Sequence, residues 1–90
     1  MPRIIVTAEV EDPTAWEQGF RTHGDLFRAQ TCSQMEYSIN GNEVAVLASP
    51  KDFDAFMTLF DAPDTAKAMQ FDGVKRETVK VYVVDHVWDL

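Results

Sequence analysis

The chain has 90 residues, 46% of them apolar and 26% charged, the balance of one folded domain rather than of a disordered segment. Its formal charge is −7, from 15 Asp and Glu against 8 Lys and Arg, and the basic residues are scattered. The basic stripe needed for a nucleic-acid backbone or an anionic membrane surface is therefore absent, which argues against both as partners.

No apolar run approaches the roughly 18 residues of a membrane span. Met1-Pro2-Arg3 leads straight into a strand rather than a signal peptide, which makes the cytoplasm the default location. Residues 1–90 make one domain, and a chain this short buries only about 60 to 65% of the surface that its unfolded form exposes.

Ile4, Val6, Ala8 and Val10 alternate with Ile5, Thr7, Glu9 and Glu11, which predicts a first strand over residues 3–11. Asp12-Pro13-Thr14 follows, an N-cap and a first-turn proline, and predicts a helix over residues 13–30. Trp16, Phe20, His23 and Phe27 share one stripe of that helix, while Glu17, Arg21, Asp25 and Arg28 lie off it as a solvated face.

Period two returns over residues 32–40, with Met35, Tyr37 and Ile39 on one side. Asn40-Gly41 makes a tight hairpin turn into a partner strand over residues 43–49, apolar on both faces and so expected inside the sheet.

After Ser49-Pro50-Lys51-Asp52 the residues Phe53, Phe56, Met57 and Phe60 form the stripe of a second helix. Pro63 predicts a break near residues 61–63, with a short helix over residues 65–71 that Asp72-Gly73 terminates.

The last strand is predicted over residues 78–88. Val79, Val81, Val83 and Val87 lie on one face, and Tyr82, Val84, His86 and Trp88 on the other. Both faces are largely apolar, so both are expected to be covered.

The order strand, helix, strand, strand, helix, strand is the ferredoxin-like βαββαβ plan, an α+β fold with a four-stranded antiparallel sheet and its helices on one face. Right-handed crossovers leave the other face of three strands bare. A patch of that size exceeds what a lone soluble domain usually shows, and an isologous homodimer would cover it.

In this element order, in Asp12-Pro13-Thr14-Ala15-Trp16 with Phe20 and His23, in residues 44–49 and in the helical stretch 56–69, the chain resembles the dimeric α+β barrel superfamily. That superfamily includes antibiotic-biosynthesis-type monooxygenases, stress-responsive barrel proteins and small cyclase-like proteins. The last of these, with a Trp, a Phe and a His on the first helix, look most similar.

The resemblance implies a homodimer with an apolar cavity between helices and sheet in each subunit. Trp16, Phe20, His23 and Phe27, Phe53, Met57 and Phe60, and inward Tyr37 and Tyr82 would line it. The haem-degrading branch uses an Asn on its first strand, which is absent here, so its residue roles are not carried over.

His23 is the candidate catalytic residue: a neutral imidazole on an apolar face could take a proton from a bound phenol or enol. Its alternative is a packing role, hydrogen-bonded to Tyr37 or Tyr82. His86 reads as an interface residue, since two histidines without a third ligand do not make a metal site.

Cys32, the only cysteine, reads as a small strand residue at the start of the second strand, with no basic neighbour in sequence to favour a thiolate. No G-x-G-x-x-G segment supports a nucleotide cofactor, and none is expected.

Two functions follow as expectations. One is a cavity protein for an aromatic or polyketide-like compound that, if catalytic, performs cofactor-independent oxygenation, isomerisation or cyclisation. The other is a non-catalytic binding or stress-related dimer.

Overall fold

The computed structural model describes residues 3–90. Met1 and Pro2, read above as leading directly into the first strand, lie outside the described residues. The elements are β1 (Ile4–Glu9), α1 (Pro13–Phe20), α2 (Gly24–Ala29), β2 (Met35–Asn40), β3 (Glu43–Ala48), α3 (Phe53–Phe60), α4 (Pro63–Phe71) and β4 (Lys80–Val83).

The strands form one antiparallel sheet in the order β2-β3-β1-β4, the ferredoxin-like arrangement expected from the element order. β3 lies inside the sheet, as its two apolar faces imply.

Register decides which residues meet the helices. Val6 stands opposite Val46 on one side and Val81 on the other, so the even-numbered residues of β1 share a face with Val44, Val46, Ala48 and Val81. Trp16, Phe20 and Phe56 bury themselves against that face. Three of the four helix starts are locally encoded. The Asp12 carboxylate accepts from the amides of Thr14 and Ala15, Asp52 accepts from Ala55, and Pro63 occupies the first turn of α4.

The predicted helix over residues 13–30 is broken. The Thr22 amide and hydroxyl both bond the Gly19 carbonyl, His23 bonds back to Phe20, and α2 restarts at Gly24 with Phe27 donating to the His23 carbonyl. A hydroxyl that competes for backbone acceptors, followed by glycine, is a weak helical junction. At the far end of α2, Thr31 holds φ at +66°.

The last strand is also shorter than its pattern. Thr78 lies in a single 3-10 turn where its hydroxyl accepts from the Glu9 amide. β4 is an edge strand that pairs only with β1, so its ladder stops at the Ile4–Val83 pair. Residues 84–90 follow in no regular element and are exposed.

β2 begins at Met35 opposite Ala48, which leaves Cys32 buried in the preceding loop. No helix among the described residues is long and apolar enough to cross a membrane.

Candidate functional site

Between the inner sheet face and the helices lies a cavity of about 80 Å³. Trp16, Phe20, His23, Phe27 and Phe60 line it, together with Val6, Ala8, Val44 and Val46 from the strands. Trp16 and Phe20 stack at 4.7 Å, and Phe20 and Phe27 meet at 4.9 Å, so one wall is a continuous aromatic surface.

Four expected lining residues lie elsewhere. Phe53 and Met57 pack into the neighbouring apolar cluster around Ile4, Cys32, Ala48 and Phe56. Tyr37 is on the inner face but packs edge-on against Trp16 and Phe20. Its hydroxyl donates to Glu17 and accepts from Arg21, which ties it to α1 and away from the cavity.

Tyr82 pairs with Ile5 and therefore faces the opposite side of the sheet, 51% exposed. Period two forbids it from sharing a face with Val81.

His23 does not bond to either tyrosine. Its Nε2 lies 3.2 and 3.0 Å from the two carboxylate oxygens of Asp72, at the end of α4. The Asp72 side chain is only 4% exposed. Burial pushes its carboxyl above the usual range, while the hydrogen bond and charge of His23 act in the opposite direction.

Asp72 also lines the cavity, as do Gln30 and Thr65, both buried. The Thr65 hydroxyl donates to the Leu59 carbonyl and so accepts from Gln30 Nε2; this fixes the amide orientation and leaves Gln30 Oε1 as the unspent acceptor. The cavity is thus an apolar chamber with one ionisable pair and one amide.

Among the described residues, no three His, Cys, Asp or Glu side chains converge to hold a metal ion. The Cys32 thiol is buried, and that burial raises its pKa, which disfavours a nucleophilic thiolate. His86 is exposed beside Asp85 at the surface.

The four-stranded sheet with helices on one face is a ferredoxin-like α+β fold, and solved structures of antibiotic-biosynthesis-monooxygenase-type proteins share it. Structures that share it include a provisionally assigned antibiotic biosynthesis monooxygenase from Bordetella bronchiseptica, at TM-score 0.73 and 14% identity over 97% of both chains.

Another is SnoaB, a cofactor-independent oxygenase from Streptomyces nogalater, at TM-score 0.72 and 17% identity, covering 99% of this chain and 95% of that one. Rv0793 from Mycobacterium tuberculosis matches at TM-score 0.61 and 12% identity over 99% and 98% of the two chains. At such identities the shared property is the fold. No family model and no curated protein matches the sequence.

Proposed function

We propose that the chain is the protomer of a homodimeric cavity protein that takes up an aromatic or polyketide-like compound and oxygenates it without a cofactor, with dioxygen as oxidant and His23 as base. The observation that carries this is the apolar chamber into which a single ionisable pair, His23 and Asp72, is built. Proton removal from a phenol or enol makes the electron-rich anion that reacts with dioxygen, and the Asp72 carboxylate beside the ring offsets the cost of forming an imidazolium in an apolar surround. SnoaB, with the same fold, is a cofactor-independent oxygenase, which supports this class of reaction.

The homodimer is supported by the outer sheet face. Ile5, Leu47 and Tyr82 lie together there, Val84 follows, and Val87 and Trp88 are 83% and 85% exposed. A second copy packed on this face would cover them, with His86 in the same segment as an interface residue.

One observation favours the non-catalytic reading. An engineered apolar cavity that binds benzene measures about 150 Å³, and this chamber has roughly half that volume. Even a single-ring guest therefore needs the lining to give way.

Oxygen uptake with a panel of polycyclic phenols tests the first reading. His23→Ala should abolish turnover while sedimentation still shows the dimer; unchanged turnover excludes His23 as the base. Thermal shift against the same panel tests the second: stabilisation without oxygen uptake supports it.

A further inference from the structure

The His23–Asp72 pair has a feature that helix stability alone does not explain. A glycine inside a helix is roughly 1 kcal/mol worse than alanine, yet Gly19 occupies the penultimate position of α1. A Cβ there would lie 2.1 Å from Asp72 Oδ1. The bare backbone of α1 is what admits the carboxylate, which reaches it from the C-cap of α4.

Once there, both oxygens of Asp72 face the same ring nitrogen, His23 Nε2. An ionised carboxylate only accepts, so the proton on this contact belongs to Nε2, and a neutral imidazole then carries its lone pair on Nδ1. Nδ1 has no hydrogen-bond partner among the described residues. Since no buried side-chain polar atom among them lacks a partner, Nδ1 keeps open surface. Of the other charged groups on the adjoining helical segments, Arg21 is bonded to Tyr37 and Arg28 to Asp25, which leaves Asp72 to address the ring.

We propose that Asp72 is a positioning residue: it fixes the proton of His23 on Nε2 and thereby dedicates Nδ1 to taking a proton from the O–H of a bound phenol or enol. The proposal rests on the reading of His23 as a base given above. In the transfer the substrate O–H bond breaks and an Nδ1–H bond forms. The electron pair stays on the substrate oxygen as phenolate or enolate, and Asp72 keeps its charge beside the new imidazolium.

Nitrogen-15 NMR of the ligand-free protein reads the tautomer with no substrate present. In the neutral ring, Nε2 should be the protonated nitrogen and Nδ1 the bare one; a proton resident on Nδ1 overturns the proposal. Asp72→Asn, whose amide can donate as well as accept, should turn the single tautomer into a mixture, and an unchanged tautomer in that variant also overturns it.

With phenol as probe, the Nδ1 resonance should move, and phenol should bind about tenfold tighter than anisole, which lacks the O–H. Asp72→Asn should reduce that preference. Equal binding of the two probes to the wild type defeats the assignment of Nδ1.

Should Asp72→Asn fail to fold, Gly19→Ala pushes the carboxylate away and gives the same comparison. If neither probe binds, the cavity reading falls, while the wild-type tautomer still decides the role of Asp72. The expected tautomer and phenol preference without any oxygen uptake would count against oxygenation alone.

Discussion

The two faces of the sheet are made from alternate residues of the same strands, yet only one is finished within the chain. On the inner face Ile4, Ala8, Val44 and Ala48 are each no more than 8% exposed beneath the helices. On the outer face Ile5, Leu47 and Tyr82 have no helix above them. One backbone therefore carries two separate tasks. Stability is concentrated where the chain covers itself, and the proposed second copy would pack where it does not.

The contrast breaks most sharply at Phe56, 2% exposed in the inner core. Phe56→Ala should lower unfolding free energy by about 3 to 5 kcal/mol in urea titration, a large share of the 5 to 15 kcal/mol typical of a domain. A loss under about 1 kcal/mol would place the centre of stability elsewhere.

On the outer face the effect should fall on association instead. Leu47→Asp should leave far-UV circular dichroism intact while weakening the proposed dimer about a hundredfold in sedimentation, near 2.7 kcal/mol. A wild-type protein that sediments as a monomer at micromolar concentration removes this half of the comparison.

Asp12→Ala, which deletes the cap of α1, should remove about 1 kcal/mol by the same urea assay.

The smallest change concerns Asp72, whose carboxyl is raised chiefly by burial. A carboxyl raised in the folded state contributes stability that is fully present below its unfolded value and is lost as pH climbs through the raised value. At neutral pH the wild type has lost that contribution, so Asp72→Asn should raise Tm, with the gain vanishing as pH falls below the unfolded carboxyl value. A lower Tm at neutral pH would mean that the pairing with His23 outweighs burial.

Local signals made much of this legible. The cap Asp12, the Asn40-Gly41 turn and the alternation in β1 and β3 are each written within a few residues, and they fix the element order and thus the topology. The aromatic wall of Trp16, Phe20 and Phe27 is likewise a helical repeat.

Asp72 was not legible, because beside Gly73 it reads as an ordinary helix terminus and its partner is 49 residues away. Gln30 and Thr65 sit 35 residues apart and are likewise joined only by the fold. The extent of β4 depended on how far β1 ran beside it, and the break before Gly24 on a hydroxyl competing for backbone carbonyls. Tyr82 alone could have been placed better: its parity with Val81 was already in the sequence.

The left-handed turn at Thr31 bears on how the chamber opens. A β-branched residue in that conformation carries strain of roughly 1 to 3 kcal/mol, and here its hydroxyl accepts from the Asp52 amide at 3.0 Å while its carbonyl accepts from Lys51 at 3.1 Å. The tail of α2 is thereby tied to the head of α3 by hydrogen bonds worth about 1 kcal/mol each. A guest that needed those two helices apart would have to break this tie before it gained any room.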